Sequence, residues 1–463
     1  MMNTKNLRED VDKMNVGNEK EGEKVARIVV MPPGPNAQKR IMEYESRVGT
    51  NNYKMHKLVM KGADGIRITD VDGNQYLDAL TGVGVNVLGN KHPAITKAVT
   101  GMLEKGYALP NNHVMYYQEY DELVAAVQST LPSRLSSGGA FLSNSGTEAN
   151  EAALKLARNL TGKKYIIVSD RAFHGRTAGT LGGTTGNRGK RGMELAIQGY
   201  HAFESPDPYR PPAGKDAAQN SLESIRSILK TKVDPSDVAA IMIEPVAGEQ
   251  GVLTYQKEFY KGLNEIAQQN DIFIIADEVQ SGVGKTGSWW ASERLGLNAD
   301  IITSAKALGG GFPLGGMFAS REMFEKWEKG SHASTNGGQA IACAAGTAVI
   351  ETIKRENLLE NVKRIQDHMK RGFDKLAERY EVIGDVRAAG ALIGVELVQD
   401  RGTKVPLDAG PIDEAVFSRG LVASAAGTWH NVLRMSFAYN TPVSALDEVL
   451  GIYDAAFADV VKK

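Results

Sequence analysis

The amino-acid sequence predicts an α/β protein: a large domain with a mostly parallel sheet, plus a smaller α+β domain built from both chain ends. First, its 463 residues exceed the roughly 250 to 300 that one hydrophobic core usually serves. Second, between about Pro93 and Gly337, short apolar runs alternate with segments of helical period, which is typical of parallel strands covered by helices. Third, beyond Gln339 the pattern changes to long helices and a few short strands.

The predicted domain boundaries follow these changes of pattern. Residues 1–26 are rich in Lys, Glu, Asp and Asn without a sustained apolar period, so we expect a polar N-terminal tail. The small domain is predicted to combine 27–92 with 338–463, and the large domain to span 93–337. From Ile66, the segment GIRITDVDGNQYLDAL alternates apolar and polar residues around DG, which indicates a β-hairpin in the small domain.

Inside the large domain, apolar positions identify individual elements. Two amphipathic helices are predicted from apolar residues at helical spacing, one around Phe259 to Ala267 and one around Ala149 to Ala157. Farther on, a helix-rich stretch is expected to end near Tyr380 and a C-terminal helix to begin near Ser444, with short strands between them. The predicted strands of the large domain are 140–142, 165–169, 239–244, 272–277 and 301–304.

Composition limits the partners. Lys and Arg total 54 against 55 Asp and Glu, so no global charge favours nucleic acid or an anionic membrane, and a small-molecule partner fits better. The single cysteine, Cys343, cannot form an internal disulfide, and no apolar leader or membrane-length apolar run is seen. We therefore expect a cytoplasmic protein without a metal site.

A candidate phosphate site lies in AFLSNSGTEANEAALKLAR, where Ser145, Gly146 and Thr147 follow a predicted strand and begin an amphipathic helix. A helix N-terminus offers free backbone N–H groups and partial positive charge, and the two hydroxyls add donors. The alternative is a simple N-cap, with Ser145 paired to Glu148 three residues later. The segment alone leaves both interpretations open.

Two charged residues occupy predicted strand ends. Asp277 ends IFIIAD at the carboxyl edge of a buried strand, where ligands bind in open parallel sheets, and a buried carboxylate there needs a positive partner such as a protonated pyridine nitrogen. Lys306 follows IITSA and precedes ALGGGFPLGG, so it is expected in a confined site that favours a neutral amine or an imine. Taken singly, Asp277 could equally cap a loop, and Lys306 could face water.

The order of these features is specific: a helix-start SGT, then FHG, EP, a strand-end DE, and a strand-end lysine followed by GGG. With these motifs the chain resembles the class III aminotransferases of pyridoxal 5'-phosphate (PLP) fold type I. It is most similar to the 4-aminobutyrate aminotransferase-type members. The resemblance runs from about Gly34 to the C-terminus and implies a large PLP-binding domain with a seven-stranded type of sheet.

The resemblance also implies roles for the cofactor residues. Lys306 would carry PLP as a Schiff base and later shuttle a proton, while Asp277 would keep the pyridine nitrogen protonated. Ser145, Gly146 and Thr147 would hold the phosphate. The other cofactor contacts that it implies are Phe173 and Val279 on the two ring faces, Gln280 near the phenolic oxygen, His174, Glu244, and Thr335 in HASTNGG, which would reach the cofactor phosphate of a neighbouring subunit.

For the substrate, the resemblance implies that Arg434 binds the α-carboxylate and Arg176 a distal carboxylate, since guanidinium groups bind carboxylates bidentately. Glu249 would pair with Arg434 while a donor without an α-carboxylate is bound, and Val83 is placed among the substrate-binding residues. The implied reaction moves an amino group from an omega-amino acid, resembling 4-aminobutyrate or the side-chain amine of ornithine or lysine, to a 2-oxo acid such as 2-oxoglutarate by a ping-pong mechanism. The expected assembly is a homodimer with shared active sites or a larger oligomer.

Two segments depart from the family pattern. NGGQAIACAA follows Thr335 where a GNP sequence is usual, and MSFAYN follows Arg434 where many members have a proline pair. Both are expected around the substrate entrance, so they bear on the substrate rather than on the cofactor. Two alternatives stay open, a PLP-dependent amino-acid racemase or epimerase on the same scaffold and a non-catalytic protein that keeps the fold.

Overall fold

The chain is described by a computed structural model, which covers residues 24–49, 51, 53–106, 114–186 and 198–461. Most of the predicted 1–26 tail therefore lies outside the described residues. Within them, no helix is both long enough and apolar enough to cross a membrane.

In the described part of the chain, the strands divide among one large sheet, two smaller four-stranded sheets and a short hairpin. In chain order they are β1 Met60–Asp64, β2 Arg67–Asp70, β3 Gln75–Asp78, β4 Gly139–Ser143, β5 Tyr165–Ser169, β6 Tyr200–Phe203, β7 Val238–Ile243, β8 Val246–Ala247, β9 Leu253–Thr254, β10 Phe273–Asp277, β11 Ile301–Ser304, β12 Gly315–Ala319, β13 Ile383–Ala389, β14 Leu392–Leu397, β15 Leu421–Val422, β16 Ser424–Ala426 and β17 Val432–Ser436.

The helices alternate with the strands of the large sheet and then dominate after β12. In chain order they are α1 Pro35–Glu45, α2 Pro93–Glu104, α3 Gln118–Gln128, α4 Gly146–Thr161, α5 Ala178–Gly183, α6 Ala217–Thr231, α7 Lys257–Gln269, α8 Ala291–Leu295, α9 Arg321–Lys326, α10 Ala340–Arg355, α11 Leu358–Arg379, α12 Gly410–Phe417 and α13 Val443–Val460. A distorted helical turn occupies Thr81–Gly84, and short 3-10 turns occupy Pro235–Asp237 and Lys306–Gly309.

The large sheet has seven strands in the order β4, β12, β11, β10, β7, β5, β6. Strands β11, β10, β7, β5 and β6 run parallel, and β12 runs antiparallel to both of its neighbours. This confirms the predicted mostly parallel, seven-stranded sheet. Each predicted strand is present, with ends that agree to within one residue. Because β10, β11 and β7 are parallel neighbours, their carboxyl ends meet at one edge of the sheet.

Helical periodicity correctly identified the faces that cover this sheet. On α4, the small residues Ala149, Ala152, Ala153 and Ala157 are all fully buried, which lets the helix approach the strands closely. On α7, the predicted apolar face is likewise buried. Removing these apolar surfaces from water is the main source of stability for such a packing, at about 25 cal/mol per Å².

The two smaller sheets bring the chain ends together. Strands β1, β2 and β3 form an antiparallel meander, and β15 adds to β3 in parallel. The other small sheet is antiparallel, in the order β13, β14, β17, β16. Helix α10 follows the predicted boundary at residue 338 and packs against α2 and α3. The exact domain boundaries stay a prediction.

The turn between β2 and β3 has the predicted chemistry. Asp70 accepts hydrogen bonds at Oδ1 from the N–H groups of Asp72, at 2.9 Å, and Asn74, at 2.8 Å. Gly73 lies in the left-handed region, with φ +91°, which glycine adopts without a Cβ clash. The DG pair therefore reverses the chain as expected from the sequence.

Phe318 provides a test of this packing, because it is fully buried on β12, the one antiparallel strand of the large sheet. Phe318→Ala should lower the free energy of unfolding by about 3–5 kcal/mol, because a large apolar side chain and its contacts are lost. Val443→Ala, at a half-exposed position, should change it by less than about 0.5 kcal/mol. Chemical denaturation of both variants measures this, and equal stabilities would contradict the packing.

Candidate active site

The ends of four strands of the large sheet lead into one cavity of about 390 Å³. Asp277 ends β10, Glu244 follows β7, Lys306 follows β11, and Gly146 begins the helix after β4. The parallel arrangement explains why residues so distant in sequence meet here. The predicted site residues that line the cavity are Ser145, Gly146, Thr147, Phe173, His174, Glu244, Glu249, Asp277, Val279, Gln280 and Lys306.

Four predicted residues do not line this cavity. Arg434 is buried behind Glu249, and exposed Arg176 holds its guanidinium 4.7 Å from the centre of the Phe173 ring. Val83 is half-exposed, and Thr335 is exposed on the loop before α10. Their predicted contacts with substrate or with a neighbouring subunit stay predictions.

Asp277 is fixed by a buried hydrogen-bond network. Its Oδ2 accepts from Asn150 Nδ2 at 2.7 Å and lies 2.8 Å from His174 Nδ1. Its Oδ1 accepts from the Val279 N–H at 3.1 Å. Asn150 is itself oriented by Thr303, whose hydroxyl donates to Oδ1 at 2.6 Å. These contacts satisfy a carboxylate that is only 3% exposed and fix its direction at the cavity wall.

Lys306 has an unusual backbone conformation and a partly buried side chain. Its φ is +44°, in the left-handed region that non-glycine residues rarely occupy. Its Nζ donates a hydrogen bond to Gln280 Oε1. Burial lowers the pKa of Lys306 below its ordinary value, against the opposing charge of Glu249. A lysine with a lowered pKa has more of the neutral amine that attacks a carbonyl.

The start of α4 combines both interpretations of the SGT motif. Ser145 caps the helix, since its Oγ accepts from the Glu148 N–H at 3.2 Å. The Glu148 carboxylate in turn accepts from the Asn144 N–H at 2.6 Å. The N–H groups of Gly146 and Thr147, in the first helical turn, have no intrahelical acceptor and lie at the cavity. They remain available to an anion.

Glu249 and Arg434 form an ion pair at the cavity, with 2.6 Å between Oε1 and Nη1. The arginine side chain is 2% exposed, whereas that of Glu249 is 41% exposed. Arg434 Nε also donates to Ser424 Oγ at 3.2 Å. Burial opposes ionisation of Glu249, but the Arg434 charge and hydrogen bond outweigh it and hold its pKa below the ordinary value. The arginine is fixed, and the glutamate is the partner with room to move.

Glu244 is buried at the end of β7 and accepts a hydrogen bond from the Phe173 N–H at 2.9 Å. Burial raises the pKa of Glu244 to about 7, with His174 opposing the shift and Asp277 adding to it. At neutral pH a large fraction of the Glu244 carboxyl group is therefore protonated, whereas Glu249 is ionised, as is an ordinary surface glutamate.

Sequence reasoning missed several residues that the cavity includes. Asn150 lies one helical turn after Gly146, so helical spacing could have identified it. Val85 lines the cavity, whereas Val83 was the residue expected to bind substrate. It follows a strained left-handed turn in which Thr81 and Val83 both have positive φ. Phe312 comes from the glycine-rich segment after Lys306.

The MSFAYN segment is not at the entrance, as the sequence analysis expected. Its first five residues, Met435 to Tyr439, are at most 1% exposed, and none lines the cavity. The segment instead continues β17 into the core, where the Ser436 N–H donates to the Ala79 carbonyl at 2.7 Å. That expectation was wrong because a lone sequence departure does not reveal which side of a strand end faces solvent.

The cavity fits PLP by the chemistry of its walls. An amine and a carboxylate, Lys306 and Asp277, face the same space, and an anion-binding helix start lies beside them. The wall at Gly146 is tight, since a Cβ there would lie 2.7 Å from two methyl groups of Val279. A flat ring has Phe173 and Val279 available for its two faces.

Comparison with known proteins agrees with this geometry. A family model described as aminotransferase class-III matches residues 48–457. The 5-aminovalerate aminotransferase of Pseudomonas aeruginosa is 34% identical over 415 residues, covering 88% of this chain and 95% of that protein. The 4-aminobutyrate aminotransferase of Escherichia coli is 33% identical over 404 residues, covering 86% and 93%.

Solved structures share the fold. A transaminase from the marine bacterium Virgibacillus has a TM-score of 0.84 at 25% identity, covering 92% of this chain and 99% of that one. The taurine:2-oxoglutarate aminotransferase from Bifidobacterium kashiwanohense, described in complex with PLP and glutamate, has a TM-score of 0.84 at 23% identity, covering 92% and 98%.

The raised pKa of Glu244 predicts that the stability of the folded protein depends on pH. Its folded pKa, about 7, exceeds the ordinary value, so its protonated form stabilises the fold at acid pH and that stability is lost as pH rises through 7. Glu244→Gln keeps the acceptor for the Phe173 N–H but cannot ionise. Without cofactor, the Tm of Glu244→Gln minus the Tm of the natural protein should therefore be larger at pH 8 than at pH 5.

Thermal unfolding at both pH values measures this difference. Glu360→Gln, at an exposed glutamate paired with Lys363, serves as the control and should show the same difference at both. A Tm difference for Glu244→Gln that stays constant with pH would rule out the raised pKa.

Proposed function

This chain belongs to the class-III aminotransferase family, whose cofactor is PLP, and we propose that it transfers the amino group of an omega-amino acid to 2-oxoglutarate. The donor class includes 4-aminobutyrate and 5-aminovalerate, and side-chain amines such as those of ornithine or lysine belong to the same class. The reaction proceeds in two half-reactions at one site, because donor and acceptor both need Lys306 and its surroundings.

The Glu249–Arg434 pair carries this proposal. An omega-amino donor places no carboxylate next to the reacting carbon, so Arg434 would lie buried and unpaired while such a donor is bound. Leaving a buried charge unpaired is costly, and Glu249 removes that cost. When 2-oxoglutarate or glutamate enters, its α-carboxylate replaces Glu249, which has room to move.

Arg176 supplies the second carboxylate contact in this proposal. Its guanidinium is exposed and lies over the Phe173 ring, and Phe173 lines the cavity. A donor with its amine at Lys306 and its carboxylate at Arg176 would extend along the cavity. The five-carbon acceptor would use Arg176 for its distal carboxylate and Arg434 for its α-carboxylate.

The other residues hold the cofactor and handle the proton. PLP, when bound, supplies an electron sink for negative charge at the carbon that bears the amino group. Asp277 is placed to keep the ring nitrogen protonated, and the N–H groups of Gly146 and Thr147 to bind the phosphate. Lys306 would hold the cofactor, and its neutral amine would then move a proton from the substrate carbon to the C4' atom of the cofactor, which transfer of the amino group requires.

A substrate screen tests the proposal. The PLP-loaded protein, incubated with each candidate donor and no 2-oxo acid, should convert its cofactor to the amine form with omega-amino acids. The change in visible absorbance measures this conversion. Lys306→Ala should reduce the rate by about a thousandfold or more, since the proton-transfer group and the covalent link are both lost.

Failure of every omega-amine to change the absorbance would overturn the proposed donor class. The racemase alternative predicts a different outcome: a single L-amino acid, incubated without a 2-oxo acid, would yield its D-isomer. Chiral analysis of that mixture separates the two reactions.

The Glu249–Arg434 pair makes a separate prediction about substrate choice. In Glu249→Gln, Arg434 loses its charged partner, so kcat/KM for 4-aminobutyrate should fall about tenfold, equivalent to about 1.4 kcal/mol. The value for glutamate should change far less, because its own α-carboxylate pairs with Arg434. Half-reaction kinetics with both donors, and Glu360→Gln as the control, measure the split. Equal losses with both donors would refute the exchange of partners.

A further inference from the structure

Lys285 is a second lysine buried next to the site, and the reaction proposed above does not use it. It is fully buried in the loop after β10. Its Nζ donates to Ser436 Oγ at 3.1 Å and lies 5.0 Å from the centre of the Tyr439 ring. Neither partner carries a negative charge. A buried ammonium needs a counter-charge, whereas a neutral amine does not, so these surroundings favour the neutral form.

Lys285 lies close to the groups that contact Lys306. A Cβ added at Gly84 would lie 2.6 Å from Gln280 Nε2 and 3.4 Å from Ser436 Oγ, so both side chains pack against this glycine. Gln280 accepts the hydrogen bond of Lys306, and Ser436 accepts that of Lys285. One glutamine and one serine thus separate the two amines.

Lys285 is also connected to the substrate arginine. Ser436 and Arg434 belong to β17, two residues apart, so their side chains lie on the same face of the strand. The Ser436 carbonyl accepts from Thr81 Oγ1 at 3.0 Å. The Lys285 carbonyl accepts from the Ala391 N–H at 2.9 Å. The lysine therefore joins the loop after β10 to the strand that carries Arg434.

We propose that Lys285 is a positioning residue that, above neutral pH, acts as an uncharged amine: it anchors the strand of Arg434 through Ser436 and adds no positive charge beside Lys306. Methionine at this position would lose the hydrogen bond to Ser436, whereas arginine would keep hydrogen-bond donors but add a permanent positive charge. A buried lysine can provide a hydrogen bond without a fixed charge. The inference rests on the proposal that Lys306 binds the cofactor.

The charged groups around Lys285 act on it in opposite directions. Asp78 at the end of β3 is held by the N–H groups of Leu80 and Thr81 rather than by the lysine. On α11, Lys363 and Glu360 pair with each other at the surface. Burial lowers the pKa of Lys285 to about 7, Lys306 adds to this shift and Asp78 opposes it; burial raises the pKa of Tyr439, which leaves that phenol neutral.

The test compares Lys285→Met, Lys285→Arg and Ser436→Ala in the PLP-loaded protein. One readout is the pH midpoint of the visible absorbance of the cofactor bound to Lys306, which requires no substrate. Lys285→Met should keep the natural midpoint, whereas Lys285→Arg should lower it by about one pH unit through charge repulsion. The second readout is the KM for 2-oxoglutarate. It should rise about fivefold in Lys285→Met and Ser436→Ala, since one hydrogen bond of about 1 kcal/mol is lost.

Each outcome decides the inference. A raised midpoint in Lys285→Met would mean that the lysine is charged, and an unchanged midpoint in Lys285→Arg would mean that charge at this position does not reach Lys306. An unchanged KM in both Lys285→Met and Ser436→Ala would remove the anchoring role, even if Lys285→Arg failed to fold. Absence of a visible band in the natural protein would overturn the proposed cofactor site itself, so the two failures are distinguishable.

Discussion

The hydrogen-bond network of Asp277 is the constraint on which the site depends. A carboxylate buried at the edge of a parallel sheet is costly unless its oxygens are satisfied, and here Asn150, His174 and the Val279 N–H satisfy them. The network reaches Thr303 on β11 through Asn150. It therefore joins α4, β10 and β11, the elements that also carry the helix start and Lys306, and fixes their relative positions.

Around this fixed carboxylate, the ionisable groups differ in their protonation states. Arg434 keeps Glu249 ionised. Burial raises the pKa of Glu244, which favours its protonated form, and lowers the pKa of Lys306, which favours its neutral amine. Groups of the same chemical type thus behave differently because of burial and neighbouring charges. These shifts leave Lys306 with more of its neutral amine, beside the N–H groups at the start of α4 that have no intrahelical acceptor.

Contacts around Gly84 support the residues that line the cavity. Gly84 lets Gln280 and Ser436 approach each other, and no larger residue would fit without a shift, since a Cβ would lie 2.6 Å from Gln280 Nε2. The strained turn before it is held by Asp78 and by the contact of Thr81 with Ser436. A strained backbone conformation of this kind persists where the surrounding contacts hold it in place. The N-terminal hairpin and the C-terminal strand thereby support a site built on the central sheet.

The sequence by itself determined the sheet, its covering helices, and the positions of Lys306 and Asp277 at strand ends, because apolar periodicity and strand-end placement are local properties of the chain. Only the tertiary structure separated Asp277 from its neighbour Glu278, which turns away and accepts from the N–H groups of Ala291 and Ser292 at the start of α8. It also placed MSFAYN in the core and brought Lys285 beside Ser436. The placement of MSFAYN and of Lys285 depends on contacts between residues more than a hundred positions apart, and no local pattern in the sequence encodes them.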